Sequence, residues 1–271
     1  MENIRQAIER AKMHGEQSGI SLEPPRQQTR HVFSDAQESA QRTQEIELDV
    51  ACLQSQRIVA FDGKDPRSRS FDLLRTEVLQ SMDLKGWKSI AVTSPSPSCG
   101  KTVTSLNLAL SMARQRERSV LLVDLDLRKP NVAASLGLKC RDGVVGVIER
   151  RIELHDAIVK ARVGGCRLEV LPTVSAPNSS DLISASATSA MLDKIAGNSP
   201  SRIVVFDLPP LLSGHDVISI LPHVDCVLLV AAMGVTKISE IKECNKYLKS
   251  TEIIRFVLNK VPESAVPYVY Y

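Results

Sequence analysis

Short apolar runs alternate with amphipathic stretches along most of the chain after residue 70. Six runs rich in Val, Ile and Leu have the length of buried strands. They are Ser89–Thr93, Val120–Asp124, Leu168–Leu171, Ile203–Asp207, Cys226–Ala231 and Phe256–Leu258. Helical spacing of apolar residues marks Ser70–Met82, Thr102–Gln115 and Ile238–Leu248. Strands that are apolar on both faces and alternate with helices predict an α/β fold with a doubly wound, mostly parallel sheet covered on both sides.

The pattern changes toward the two ends of the chain. Residues 1–15 carry small apolar residues at helical spacing, which predicts a short amphipathic helix; its narrow apolar face favours loose docking over a membrane-surface anchor. Residues 16–56 are rich in Gln, Ser, Glu and Arg, so we expect a flexible linker there. The folded domain is expected over residues 57–262, followed by a tyrosine-rich tail over residues 263–271.

Composition and charge narrow the functional classes. The 271 residues carry a net charge of +3, which is too small to indicate a nucleic-acid partner. No apolar run approaches the roughly 18–20 residues of a membrane-spanning helix, and the N-terminus lacks a secretory signal pattern. The six cysteines form no C-x-x-C pair, which argues against a disulfide framework or a zinc site. We therefore expect a cytoplasmic protein.

A candidate phosphate loop follows the first predicted strand. The segment SPSPSCGKT leads into a helix, and strand, loop, Gly-Lys-Thr and helix is the context that phosphate binding requires. Lys101 would reach the β- and γ-phosphates and Thr102 would bind Mg²⁺. Position 95 is Pro instead of the usual first glycine, so the loop alone leaves a chance turn possible. The expected nucleotide contacts are Ser96, Pro97, Ser98, Cys99, Gly100, Lys101, Thr102 and Val103. An exposed Cys99 thiol would oxidise easily.

Two further strands end in charged residues. The run VLLVDLDLR carries Asp124, Asp126 and Arg128, and the run IVVFDLPP carries Asp207. The carboxyl ends of parallel strands meet at the crevice where ligands bind. Asp207 is expected to hold the hydration shell of Mg²⁺, as a Walker-B carboxylate does. Three such strand ends in this order favour a nucleotide site over unrelated turns or helix caps.

Together these motifs resemble the bacterial tyrosine kinases of polysaccharide synthesis and export, over about four-fifths of the chain. Ser96–Thr102 is similar to that family's Walker A motif, Leu121–Pro130 to its Walker A′ motif and Phe206–Pro210 to its Walker B motif. The Min and Par partitioning ATPases are related in fold, but they carry an additional lysine where this chain has Ser96. The resemblance implies a P-loop NTPase fold with ATP and Mg²⁺ as cofactors, and transfer of the γ-phosphoryl group to tyrosine.

The resemblance also implies residue roles. Lys101 would stabilise the phosphoryl oxygens, and the Mg²⁺ ligands would be Thr102, Asp126 and Asp207. Asp124 is assigned as the carboxylate that accepts the tyrosine proton, although one-residue spacing does not separate its role from that of Asp126. Arg128 would steady the acidic pair or the phosphates.

Two further roles concern the end of the chain. Asn259 would contact adenine, with a simple turn residue as the alternative. The phosphate acceptors would be Tyr268, Tyr270 and Tyr271, which are three of the four tyrosines in the chain. An aromatic tail that packs on a neighbour is the alternative for them.

Assembly and partners are implied less directly. In the family a Glu-x-x-Arg-x-x-Arg segment supports a ring of subunits, whereas this chain has Arg69, Asp72 and Arg75, so a homo-oligomer of undefined form is expected. A membrane-embedded polysaccharide co-polymerase would act as activator and place the chain beside the inner membrane. Two other functions remain open: an ATPase switch of the Min/Par type, and a nucleotide-binding scaffold of a polysaccharide assembly complex.

Overall fold

The computed structural model describes residues 45–197, 201–249 and 251–262, which contain one eight-stranded sheet. Its strands are β1 (Glu45–Glu47), β2 (Ser89–Thr93), β3 (Ser119–Asp124), β4 (Val159–Val163), β5 (Cys166–Leu171), β6 (Arg202–Asp207), β7 (Cys226–Ala232) and β8 (Glu252–Asn259). The six strands predicted from the apolar runs are confirmed, with ends that differ by a few residues. The helix predicted at residues 1–15 and the tail at residues 263–271 lie outside the described residues.

Helices cover both faces of the sheet. In the described ranges they are α1 (Val50–Ser55), α2 (Arg69–Lys85), α3 (Lys101–Ala113), α4 (Val132–Ser135), α5 (Gly143–Ile148), α6 (Leu154–Ala157), α7 (Ser179–Ser184), α8 (Ser186–Gly197), α9 (Asp216–Ile220) and α10 (Ile238–Tyr247). Single 3₁₀ turns occupy Pro66–Ser68, Leu211–Ser213 and Leu221–His223. None of the helices in the described ranges is long and apolar enough to cross a bilayer.

The strand order is β1-β4-β5-β3-β6-β2-β7-β8. Six adjacent strands run parallel to one another: β5, β3, β6, β2, β7 and β8. The strand β4 pairs antiparallel with β5 and parallel with β1. The register of β3 against β6 places Asp124 opposite Asp207. The predicted doubly wound, mostly parallel sheet is therefore confirmed, and two candidate site residues end adjacent strands side by side.

Alternating side chains of the central strands supply two separate apolar cores. Val120 and Leu122 of β3 pack on the face that α1, α2 and α3 cover, whereas Leu121 and Val123 pack on the other face. All four side chains are at most 1% exposed. Because both faces are filled, the strands are apolar throughout, and polar side chains are left to the strand ends.

The predicted linker is wrong over its last residues, because residues 45–55 form β1 and α1. Leu48 and Leu53 are buried in the core, and the Asp49 carboxylate accepts a hydrogen bond of 2.9 Å from the Ala51 amide at the start of α1. The polar composition of residues 16–56 had hidden these two buried leucines and the helix cap. The rest of the linker prediction concerns residues outside the described part.

The strands β4 and β5 form a hairpin that the sequence analysis missed. β4 reads VKARV, in which buried positions alternate with exposed ones, and the two strands are joined at Gly164 and Gly165. A glycine pair between alternating runs is a hairpin signal, and it could have revealed this element.

Asp72 joins α2 to the end of α3. Its carboxylate accepts hydrogen bonds from the Arg114 guanidinium at 2.8 Å and from the Ser111 hydroxyl at 2.5 Å, and it pairs with Arg75 at 3.1 Å. Arg75 also donates to the Ser111 carbonyl at 3.2 Å. Asp72, whose charge is reversed relative to the family's ring segment, and Arg75, which matches that segment, are therefore both engaged inside this chain.

We expect Asp72→Ala to lower the free energy of unfolding by about 2–3 kcal/mol, because two half-buried guanidinium groups lose their shared carboxylate. Urea unfolding of the purified protein measures this loss. Asp83→Ala is the control: its carboxylate pairs with Arg118 near the surface, and its removal should cost less than about 1 kcal/mol. Equal losses in the two variants would contradict a structural role for the Asp72 cluster.

Candidate functional site

A cleft of about 590 Å³ opens at the carboxyl edge of the sheet. One wall is formed by Pro97, Ser98 and Gly100 of the loop after β2 and by residues 101–103 at the start of α3. Residues 126–131 after β3 and residues 209–217 after β6 supply the other lining side chains. The three strand ends identified from the sequence therefore meet at one cleft.

The loop after β2 adopts its shape without the usual first glycine. Pro95 is not among the residues with positive φ, and its carbonyl accepts a hydrogen bond from the Leu212 amide at 3.2 Å. Gly100, in contrast, has φ +89° directly before α3, a conformation that side-chain-bearing residues rarely adopt. The second glycine position is thus the one that this loop requires.

Three contacts of charged or hydroxyl groups link the first residues of α3 to the acidic strand ends. The Lys101 ammonium lies 2.8 Å from an Asp126 carboxylate oxygen. The Thr102 hydroxyl donates to Asp207 at 2.7 Å, and the Ser105 hydroxyl donates to the second oxygen of the same carboxylate at 2.9 Å. Sequence analysis missed Ser105, although a position one helical turn after Thr102 lies on the same helix face.

The carboxylate and hydroxyl oxygens at this position fit Mg²⁺ bound together with a nucleotide. Protein sites that hold Mg²⁺ with phosphates supply one or two carboxylates and a hydroxyl rather than a complete cage. Thr102, Asp126 and Asp207 provide such oxygens around the start of α3. Among the residues that the structure describes, no group of three or more His, Cys, Asp or Glu side chains forms a separate metal cage.

The adjacent carboxylates of Asp124 and Asp207 are both fully buried. Burial raises the pKa of Asp124 to about 8, the charge of Asp207 adds to this, and the Val132 and Asp126 amides oppose it. Burial also raises the pKa of Asp207, against the effect of Lys101 and two hydroxyl groups. At neutral pH the buried pair therefore retains a proton.

The Lys101 ammonium compensates the remaining negative charge. Burial by itself lowers the pKa of Lys101, but attraction to Asp207 and Asp126 outweighs it, so the pKa lies above its ordinary value. Lys101 is consequently charged at neutral pH, as a phosphate ligand must be.

Arg128 lies at the cleft, but its hydrogen bonds go to neither Asp124 nor Asp126. Its guanidinium donates to Asp216 at 2.9 Å, to the Ser180 hydroxyl at 2.9 Å and to the Ser213 carbonyl at 3.2 Å. The structure thus places Arg128 on a buried carboxylate that the sequence analysis missed, and a role toward phosphate remains a prediction. No motif in the sequence connects Arg128 to Asp216, which lies 88 residues away.

The remaining predicted nucleotide contacts differ in their positions. Pro97, Ser98 and Val103 line the cleft. The Ser96 carbonyl instead accepts a hydrogen bond from the Ser94 hydroxyl at 2.8 Å, inside the loop. The three tail tyrosines lie outside the described residues.

The Cys99 thiol, for which oxidation would have required exposure, is buried. Cys99 has no exposed surface, and its sulfur lies 3.4 Å from the Thr236 hydroxyl, on the inner side of the loop. Asn259 reaches the same residue, because its side-chain nitrogen donates to the Cys99 carbonyl at 2.9 Å. The predicted contact of Asn259 with adenine remains untested.

Comparisons with known proteins agree with this geometry. Residues 90–267 match the family described as CobQ/CobB/MinD/ParA nucleotide binding domain. Over 189 residues the chain is 30% identical to Tyrosine-protein kinase YwqD of Bacillus subtilis (strain 168), which covers 68% of this chain and 76% of that protein. Over 213 residues it is 29% identical to Putative tyrosine-protein kinase CapB of Staphylococcus aureus, covering 77% and 91%. The solved structure of the chimerical protein CapA2B2 is similar with a TM-score of 0.68 at 26% identity, covering 77% of this chain and 91% of that chain.

When nucleotide and Mg²⁺ are absent, we expect the titration of Asp124 to make the free energy of unfolding depend on pH. Its pKa is about 8 in the folded state against an ordinary 3.8, so between these values the folded state holds a proton that the unfolded chain has released. This contribution to stability therefore decreases as pH rises from about 4 to about 8 and is constant above. Urea unfolding in EDTA at several pH values should show a shallower decrease for Asp124→Asn.

Asp181→Asn is the matched control for this experiment, because the Asp181 side chain is exposed. Its stability should follow that of the parent protein across the pH range. A parent and an Asp124→Asn variant with the same pH dependence would show that Asp124 does not hold the proton.

Proposed function

Because this chain belongs to the CobQ/CobB/MinD/ParA nucleotide-binding family and to the bacterial tyrosine-protein kinases, we propose that it is an ATP-dependent protein-tyrosine kinase. The observation that carries the proposal is the convergence of Lys101, Asp126, Thr102 and Asp207 at one cleft through contacts of 2.7–2.8 Å. A lysine, a hydroxyl and two carboxylates at the start of a helix are the groups that phosphoryl transfer uses.

Positioning and charge neutralisation would carry the reaction. ATP with Mg²⁺ supplies the γ-phosphoryl group and part of the compensating positive charge. Lys101 would exchange its contact with Asp126 for phosphate oxygens, and the Gly100 and Lys101 amides lie at the positive end of α3. Thr102 would hold Mg²⁺ through its hydroxyl oxygen, with Asp207 behind it as the acceptor of the hydroxyl proton.

The proton of the attacking tyrosine hydroxyl is better received by Asp126 than by Asp124. A general base must come within hydrogen-bond reach of the proton that it takes. Asp126 lines the cleft, whereas Asp124 is fully buried and accepts the Asp126 and Val132 amides at 3.1 Å each. In this proposal Asp124 positions the segment that carries Asp126, which reverses the assignment made from the sequence.

The proposed substrate is the chain's own tail, at Tyr268, Tyr270 and Tyr271, and the proposed role is regulation of exopolysaccharide or capsule synthesis and export. The names of the relatives support tyrosine as acceptor. A membrane-embedded activator of the polysaccharide co-polymerase class and a homo-oligomer are part of the proposal. Since Asp72 and Arg75 are engaged with α3, subunit contacts would use other groups of α2.

We expect Lys101→Met to reduce both ATP turnover and phosphotyrosine by about 10²–10³-fold, because the transferred phosphoryl group loses a fixed positive charge. Purified protein with Mg-ATP, with and without a candidate activator, is assayed for phosphate release and by mass spectrometry. Lys242→Met, on the exposed side of α10, is the control and should behave like the parent. Unchanged activity in Lys101→Met would exclude this cleft as the site.

A separate experiment tests the acceptor and separates the alternative functions. Replacement of Tyr268, Tyr270 and Tyr271 by Phe should abolish autophosphorylation while Mg-ATP affinity stays within about twofold, since no group in the cleft changes. Phosphate on the triple variant at the level of the parent would refute the tail as acceptor. A parent protein that releases phosphate without phosphotyrosine would instead indicate an ATPase switch, and one that only binds ATP would indicate a scaffold.

A further inference from the structure

The side chain of Asn259 has both of its polar atoms committed. Its nitrogen donates to the Cys99 carbonyl at 2.9 Å, and its oxygen accepts from the Lys260 amide at 2.8 Å, in the turn that follows β8. The reverse orientation of the amide would set an oxygen against the Cys99 carbonyl and a nitrogen against the Lys260 N–H. The two contacts therefore fix the orientation of the side chain.

Asn259 is itself braced by the neighbouring strand. It is the last residue of β8, where it pairs with Ala232 of β7, and its carbonyl accepts from the Met233 amide at 2.9 Å. The Thr236 hydroxyl accepts from the Ala232 amide at 2.9 Å and contacts the Cys99 sulfur. The ends of β7 and β8 thus hold Cys99 through both its carbonyl and its side chain.

The approach of Asn259 depends on the absence of a side chain at position 100. A Cβ atom on Gly100 would lie 2.1 Å from the Asn259 side-chain nitrogen, which is far inside contact distance. Gly100 therefore serves two purposes: it permits the positive φ before α3, and it leaves room for the amide of Asn259.

The held carbonyl belongs to the peptide unit that begins the helix. In a trans peptide the C=O and the following N–H point in opposite directions. With the Cys99 carbonyl bound to Asn259, the Gly100 N–H is turned away from β8, and Gly100 lines the cleft. Amides of this kind, at the start of a helix, bind phosphate.

We propose that Asn259 is a positioning residue for the phosphate loop: by holding the Cys99 carbonyl it orients the peptide that precedes Lys101 for binding of the triphosphate. The proposal requires nucleotide binding in this cleft, but not tyrosine phosphorylation. It differs from a contact with adenine, because its effect reaches every ligand that carries the phosphates, with or without a base.

Affinities for Mg-ATP and for magnesium tripolyphosphate, measured by calorimetry on the full chain, test this proposal. Asn259→Ala should weaken both ligands by the same factor, about tenfold, as expected for one hydrogen bond. Asn245→Ala, an exposed asparagine on α10, is the control and should change neither affinity. A loss confined to Mg-ATP would overturn the proposal in favour of base recognition, and unchanged affinities would overturn it outright.

Asn259→Asp decides the question if Asn259→Ala does not fold. The carboxylate has the same size and still accepts from the Lys260 amide, but it places an oxygen against the Cys99 carbonyl. The affinity of this variant for tripolyphosphate should fall by at least the factor of about ten that is expected for one missing hydrogen bond. Full tripolyphosphate affinity in Asn259→Asp would contradict the proposal. A protein that binds Mg-ATP without forming phosphotyrosine would refute the kinase function while leaving this result interpretable.

Discussion

Two buried carboxylates lie side by side at the ends of adjacent parallel strands, and the surrounding groups are arranged to tolerate their charge. The register of β3 against β6 sets Asp124 opposite Asp207, where neither side chain meets solvent. Burial of two like charges is costly, so one proton is retained, and the Lys101 ammonium balances the rest. Hydroxyl groups from α3 and two backbone amides fill the remaining acceptor positions. A divalent cation and a triphosphate would meet a site whose charges are already fixed in place.

The phosphate loop is supported from two directions. On the side of β3 and β6, Lys101 and Thr102 contact carboxylates, so the start of α3 is tied to the acidic strand ends. On the side of β7 and β8, Asn259 and Thr236 hold Cys99. The loop is therefore constrained between both halves of the sheet, which explains how it keeps its shape with proline at its first glycine position.

The far end of α3 is fixed as well, by the cluster around Asp72. Arg75 and Arg114 share one carboxylate there, and the Ser111 hydroxyl completes it. In the family that this segment resembles, the corresponding charges serve contacts between subunits. Here the reversed charge at position 72 finds its partners on the neighbouring helix of the same chain. Asp72 thus ties α2 to the helix that follows the phosphate loop.

The sequence by itself determined the architecture and the edge of the sheet at which the candidate site residues meet. Apolar runs of strand length predicted six strands, and because parallel strands end at one edge, the residues Lys101, Asp126 and Asp207 were expected together. The sequence analysis missed the two outer strands β1 and β4. The strand β1 is exposed along its whole length, and its composition matches that of a linker.

Only the tertiary structure decided which polar atoms are paired. Arg128 and its partner Asp216 are 88 residues apart in the chain, and Cys99 and its partner Asn259 are 160 residues apart. The burial of Cys99 and of Asp124, which changed the expected role of each, likewise depends on strands that arrive from distant parts of the chain. Periodicity indicates which face of an element is buried. A hydrogen bond instead depends on differences of a few tenths of an ångström in the donor–acceptor distance, which are set only when the elements pack.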